Sequence, residues 1–183
     1  AQQYAAGNFS EAAATARAAL ESATASEATT LRAMASDYTT VGAAMATTGA
    51  TVETYAAYGR ALAADRRAGG DHGPTIRERL GQLAPKAAAS YMAKSNFEAA
   101  KRAADTAADF GSGSNSTVVQ VRQSLERKAA EFYATGQKIL RSQPDEAKAL
   151  FRRILKMVAP DSPNYQKAYQ ALNTRTRAAD DDE

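Results

Sequence analysis

Apolar residues recur along most of the chain at steps of three and four, the spacing of residues on one face of an α-helix. The first such stripe consists of Leu31, Met34, Tyr38, Val41 and Met45. Three more stripes follow, formed by Val52, Tyr55, Tyr58 and Leu62, by Ile76, Leu80, Leu83, Ala87 and Tyr91, and by Val121, Leu125, Phe132 and Ile139. The pattern predicts long helices that alternate with shorter ones, and strand signals are nearly absent.

Short polar, glycine-rich or proline-rich breaks separate the predicted helices. They lie at residues 6–8, 47–50, 69–74, 94–96, 111–117, 142–144 and 159–163. Pro74 and Pro144 stand where a helix tolerates proline, in its first turn. Thr117 is predicted to cap the helix that follows the loop GSGSNST, with Gln120 as its reciprocal partner.

Composition supports an all-α protein and excludes several kinds of chemistry. The 183 residues are rich in alanine, a strong helix former, and suffice for one domain or a short repeat array. The chain has no cysteine, which excludes disulfides, thiolate catalysis and cysteine-based metal sites. No apolar run approaches the length of a membrane-spanning helix, and no signal-peptide pattern occurs. We therefore expect no membrane insertion of this segment and a cytoplasmic location, or a periplasmic one if a signal sequence precedes Ala1.

The net charge of +3 is unevenly distributed. Residues 1–120 sum to zero, residues 121–179 hold 12 Lys and Arg against 5 Asp and Glu, and residues 180–183 are all acidic. Arg152, Arg153 and Lys156 are candidate contacts for an acidic partner or a polyanion, although a solvated outer helix face is the favoured interpretation. Nucleic acid is not the expected partner, because no known binding module accompanies the basic residues.

An internal repeat follows the same alternation of long and short helices. Three short segments, which begin at Phe9, Phe97 and Pro144, align with small or apolar residues in register: Ala12, Ala100 and Ala147; Ala16, Ala104 and Phe151; Ala19, Ala107 and Ile154. Segment 51–64 joins less closely, and successive units are offset by 42, 46 and 47 residues. Because small residues at such steps let two antiparallel helices approach closely, the alignment predicts helix hairpins.

These units resemble the tetratricopeptide repeat family. In the stretch FYATGQKILRSQPDEAKALFRRILKMVAPDSPNYQKAYQAL, the family's first-helix positions are matched by Phe132, Thr135, Gly136 and Ile139, and its second-helix positions by Ala147, Phe151, Ile154 and Pro160. The stretches YAAGNFSEAAATARAAL and SYMAKSNFEAAKRAADTA are similar to the same passage. The spacing exceeds the family's usual period of about 34 residues, because the first helices are extended, and alanine often replaces larger residues.

The resemblance implies an all-α fold, a right-handed superhelical array of antiparallel helix hairpins. It predicts about 3.5 to 4 repeats in a single domain over residues 1–179, with units at roughly 1–23, 26–68, 74–110 and 117–159 and a C-terminal capping helix at 162–178. Residues 180–183 are predicted to form a disordered acidic tail without the spaced oxygen ligands of a calcium-binding loop. Since Ala1 begins partway through a first helix, we expect the chain to be a module of a larger protein.

The resemblance also implies a function, since the family's concave groove takes peptides or helices of partner proteins. Tyr133, Gln137, Gln166 and Gln170 are the predicted groove residues, whereas Tyr165 and Tyr169 are predicted to fill the core. The lysines and asparagines with which some members clamp a terminal carboxylate are absent from the expected positions. The sequence therefore predicts a non-catalytic protein-interaction scaffold, and the alternative is a regulatory module that binds nucleic acid or another polyanion through its basic C-terminal repeat.

No catalytic or cofactor-binding constellation accompanies these helices. The one histidine, His72, lies in the turn GGDHGP, where Asp71 alone supplies neither a nucleophile nor a metal cage. His72 is therefore predicted to be an exposed loop residue. The loop GSGSNST lacks the lysine and the preceding strand of a phosphate-binding loop. We expect no enzyme activity, no metal and no cofactor.

Overall fold

The computed structural model describes the backbone of residues 1–180 and the side chains of residues 1–173. The α-helices are α1 (Gln2–Ala5), α2 (Phe9–Ala18), α3 (Ala25–Met45), α4 (Val52–Ala68), α5 (Gly73–Ala93), α6 (Phe97–Asp109), α7 (Ser116–Ile139), α8 (Pro144–Met157) and α9 (Pro163–Asp180), with a 3₁₀ turn at Ala19–Ser22. No strand occurs among residues 1–180, which confirms the all-α prediction. Of the predicted acidic tail, Asp180 ends α9 and residues 181–183 lie outside the described residues.

Local sequence signals explain most helix ends. Thr24 and Glu27 form a capping box at the start of α3, and Gly69 ends α4 with a left-handed φ of 65°. The predicted cap of α7 at Thr117 is wrong: the Asn115 side chain accepts the Thr117 amide at 2.9 Å, so the helix begins at Ser116. An asparagine immediately before the first helical residue is the better cap, because its short side chain reaches the second amide.

The chain divides into two compact units. The first contains Ala1–Ala87 and Thr106–Ser112, and the second contains Ala88–Asp105 and Gly113–Glu183. Helices α5 and α6 therefore supply residues to both units. None of the helices in the described part of the chain combines the length and the apolar character that crossing a bilayer requires.

In the first unit, α3 packs against both α2 and α4. The predicted stripe of α3 faces this core, with Tyr38 and Val41 buried and its other members half-buried. The remaining core residues are small, aromatic or aliphatic, and include Tyr4, Ala12, Ala13, Tyr58, Ala61, Ala64, Ile76, Leu80 and Leu83. Small residues on α2 and α4 permit the close approach that the sequence predicts.

In the second unit, α8 packs against α7 and α9, and α9 also contacts α7. Gly136 of α7 lies beside Phe151 of α8, while Leu125, nearer the start of α7, lines the same cleft as Met157, near the end of α8. Helices α7 and α8 therefore run antiparallel. Phe151, Ile154 and Met157 are fully buried, as are the α7 residues Val118 and Ala129.

Candidate partner-binding surfaces

Tyr133 and Gln137, two of the predicted groove residues, are adjacent on one face of α7. Gln137 Nε2 donates a hydrogen bond to the Tyr133 hydroxyl at 3.1 Å. The half-buried Tyr133 ring stands 5.6 Å from the ring of Phe151, and the two ring planes are tilted by 41°. Gln137 is exposed. The structure thus brings this pair together, and the Tyr133 side chain contacts both the Phe151 ring of the core and the Gln137 side-chain amide.

Gln166 and Gln170, the other predicted groove residues, are both exposed on α9. Gln166 Nε2 donates to the carbonyl oxygen of Pro160 at 2.6 Å, which ties the start of α9 to the preceding turn. These two glutamines are one helical turn apart and share a face of α9.

Tyr165 and Tyr169 lie one turn apart on α9, with nearly parallel rings 6.4 Å apart. The prediction that both rings fill the core is wrong for Tyr169, which is 50% exposed. Tyr165 is half-buried. Among the side chains of α9 within residues 163–173, Ala168 is the fully buried one and points inward. Tyr169 follows it by about 100° around the helix and therefore points away from the core.

The basic residues of α8 differ from one another in their contacts. Arg152, Arg153 and Lys156 are all exposed. Arg153, however, does not simply face water: its guanidinium carbon lies 5.1 Å from the centre of the Phe97 ring and 4.8 Å from that of Phe132. Sequence reasoning missed this cluster, because its members lie on three different helices and no single spacing relates them.

A cleft of about 230 Å³ lies in the second unit, and sequence reasoning missed it as well. Its floor is apolar, made by Leu125, Met157 and Val158, and charged residues of α6 and α7 stand around it. Lys101 and Arg122 both contact Asp105, at 2.6 and 3.5 Å. The cleft is smaller than the ligand pockets of about 300 to 1,000 Å³ found in proteins, so it has room for one side chain rather than for a cofactor.

The first unit holds a buried polar cluster rather than an open site. The Tyr4 hydroxyl donates to Asp65 at 2.8 Å, and Asp65 is 2% exposed. Burial, and next this hydrogen bond, raise the pKa of Tyr4 well above its ordinary value. Nearby, Arg67 pairs with the buried Asp37 at 2.6 Å, and that hydrogen bond raises the pKa of Arg67.

His72 belongs to this cluster, so its prediction as an exposed loop residue is wrong. The side chain is half-buried, and Nε2 lies 2.8 Å from the carbonyl oxygen of Tyr4. Its ring packs edge-on against Phe9 and Tyr4 at 4.8 and 5.1 Å. His72 therefore holds the turn GGDHGP onto the N-terminal helices. Among the described residues, no group of three or more His, Cys, Asp or Glu side chains is placed to bind a metal ion.

No protein-family model, no curated protein and no solved structure matches this chain. The resemblance to tetratricopeptide repeats therefore stays a prediction, to be judged on the chain's own residues and contacts.

Proposed function

We propose that this chain is a protein-interaction scaffold, built of helix hairpins stacked like tetratricopeptide repeats, that binds a peptide or helix of a partner protein. The observation that carries the proposal is a close approach, found in each compact unit, between a glycine of a long helix and a phenylalanine of a neighbouring short helix. In the second unit the short helix follows the long one within the predicted repeat 117–159, whereas in the first unit it precedes the long one and belongs to the preceding predicted repeat. Gly136 of α7 lies against the ring of Phe151, and Gly42 of α3 lies against Phe9. A Cβ atom at either glycine would stand under 3.0 Å from a phenylalanine carbon, at 2.6 and 2.7 Å respectively.

The two glycines occupy the same place in their helices. Tyr38, Val41, Gly42 and Met45 of α3 repeat the pattern of Phe132, Thr135, Gly136 and Ile139 of α7, which is aromatic, small or aliphatic, glycine, large. In α5 the same spacing gives Ala84, Ala87, Ala88 and Tyr91, the first three buried and the last half-buried. The three long helices thus share the spacing, although α5 has alanine at the aromatic and glycine positions and Thr135 of α7 is exposed. The shared spacing supports a common role for them as first helices of repeats.

Repeated hairpins leave one face of each helix without an intramolecular partner, and stacking them produces an extended surface rather than a closed pocket. Such surfaces suit peptides and helices. The Tyr133–Gln137 pair supports this use, because an amphipathic ring fixed by its neighbours loses little entropy on binding. Gln166 and Gln170 add exposed polar groups from α9.

The proposal is tested by selecting peptides that bind the immobilised chain from a phage-displayed library of random peptides about 12 residues long. We expect enriched peptides with a shared motif, whose affinity falls about tenfold or more in the double variant Tyr133→Ala, Gln137→Ala. The matched control is Gln120→Ala, since Gln120 is an exposed glutamine of the same helix. Failure to enrich any peptide contradicts the scaffold function, and equal loss in both variants contradicts the assignment of Tyr133 and Gln137.

A further inference from the structure

Three helices of the second unit meet at a stack of two aromatic rings and one cation. Phe97 begins α6, Phe132 lies in α7, and their rings pack edge to face with centres 5.8 Å apart. The Arg153 guanidinium of α8 lies near both ring centres, at 5.1 and 4.8 Å. Phe97 is only 6% exposed whereas Arg153 is exposed. Arg153 is therefore the outer layer of the stack.

The stack restrains Arg153 without neutralising it. Cation–π contacts hold the guanidinium in place but leave the N–H groups at its edge available for hydrogen bonds. Within the described residues, no carboxylate lies within 4.0 Å of the side-chain nitrogens of Arg152, Arg153 or Lys156. The neighbouring Lys128, by contrast, also lies over Phe132 but is paired with Glu131 at 2.6 Å.

We infer that the cationic face formed by Arg152, Arg153 and Lys156 receives an acidic segment of the partner protein, with Arg153 binding one of its carboxylates. A restrained guanidinium is suited to a bidentate pair with a carboxylate, because part of the side-chain entropy that binding would cost is already lost. Arg152 and Lys156 supply further positive charge on the same exposed part of α8. This inference rests on the proposed scaffold function and specifies the chemistry of the partner.

The same contacts disfavour single-stranded nucleic acid as the occupant. Proteins that bind single strands stack bases on exposed aromatic faces. Here the Phe97 ring is buried and the Arg153 guanidinium lies over both rings, so a base could stack on the face it occupies only after Arg153 had moved. The three exposed cations of α8 also form a small patch compared with the row of phosphates that a nucleic acid presents.

The test uses a fluorescein-labelled peptide of alternating Glu and Ser, about 12 residues long, and the same peptide with Gln in place of Glu. Fluorescence anisotropy at low ionic strength measures both against the whole chain. We expect the acidic peptide to bind and the Gln peptide not to. Arg153→Met should weaken binding about tenfold or more while its aliphatic side chain still covers the rings. Arg153→Lys should weaken binding less, because lysine keeps the positive charge but lacks the planar guanidinium that can bind both oxygens of a carboxylate.

Arg141→Ala is the matched control, since Arg141 is an exposed cation in the turn between α7 and α8 and its loss lowers the net charge equally. Equal weakening in Arg153→Met and Arg141→Ala would mean general electrostatic attraction and overturn the inference. Tighter binding of a single-stranded oligonucleotide than of the acidic peptide would overturn it too. If library-selected peptides bind but the acidic peptide does not, the inference fails and the scaffold function stands; if neither binds, both fail.

Discussion

Gly136 lies so close to Phe151 that a Cβ atom on residue 136 would stand 2.6 Å from Cε1 of the ring. Phe151 is fully buried, and because protein cores are close-packed, its ring has little room to move away from an added methyl group. The absence of a side chain at residue 136 therefore sets the distance between α7 and α8. The same reasoning applies to Gly42, although its neighbour Phe9 is only half-buried.

We expect Gly136→Ala to lower the free energy of unfolding. Overpacking a well-filled core costs about 1 to 3 kcal/mol, whereas replacing glycine by alanine inside a helix returns at most about 1 kcal/mol. Gly59→Ala is the matched control, because Gly59 is exposed in α4 and a Cβ there meets nothing within 4 Å. That control should be stabilised by about 0.5 to 1 kcal/mol. Urea denaturation of both variants measures the difference, and equal stabilisation of the two would contradict the close packing of Gly136 against Phe151.

The helix boundaries and most core faces follow from the sequence alone, because they depend on local signals. Glycine, proline and short polar segments mark the breaks, and stripes such as Tyr38 and Val41 identify the buried sides of the helices. The sequence also contains the signal for the correct cap of α7, since Asn115 immediately precedes the helix. The prediction of Thr117 as the cap depends on Gln120, which completes a capping-box pattern with it.

The contacts that sequence reasoning missed join residues distant in the chain. Arg153 meets Phe97 and Phe132, and His72 meets Tyr4. A loop position gives no sign that a histidine will be covered by a helix 68 residues away. Periodicity likewise assigns an arginine to the outer face of its helix, but it does not show that the neighbouring helices place two aromatic rings beneath it.

The buried hydrogen bond from Tyr4 to Asp65 predicts a pH-dependent stability. The pKa of Tyr4 is raised above its ordinary value of 10.0, so below pH 10 the neutral hydroxyl contributes its full share to folding. Above pH 10 the unfolded chain loses this proton while the folded chain retains it, and stability falls by about 1.4 kcal/mol per pH unit from this one group.

Tyr4→Phe removes that contribution. At neutral pH the variant should be less stable by about 1 to 3 kcal/mol, because the buried Asp65 loses a hydrogen-bond donor. As the pH rises beyond 10, the gap between the variant and the wild type should narrow. Urea denaturation from pH 8 to about 11.5 measures the gap. A constant gap across this range would show that Tyr4 titrates alike in the folded and unfolded chains.

The attachment of α9 to α7 depends on Glu126. Its carboxylate accepts hydrogen bonds from the Ser162 hydroxyl at 2.8 Å and from Asn164 Nδ2 at 2.9 Å. Ser162 is 6% exposed. Its hydroxyl oxygen in turn accepts a hydrogen bond from the backbone N–H of Asn164 at 3.1 Å, which caps the start of α9. One carboxylate thus positions the residue that begins the last helix.

We expect Glu126→Ala to loosen α9 without unfolding the α7–α8 pair. Losing these bonds leaves the buried Ser162 hydroxyl hydrogen without its acceptor, at a cost of about 1 to 3 kcal/mol, so amide hydrogens of α9 should exchange on the order of tenfold faster. Amides beside Gly136 and Phe151, which lie in a separate part of the core, should change much less. Glu131→Ala is the control, because Glu131 is an exposed glutamate of α7 paired with Lys128. Hydrogen exchange followed by mass spectrometry compares the two variants. If α9 exchanges equally in both, or if Glu126→Ala accelerates exchange uniformly through the second unit, Glu126 does not specifically anchor the last helix.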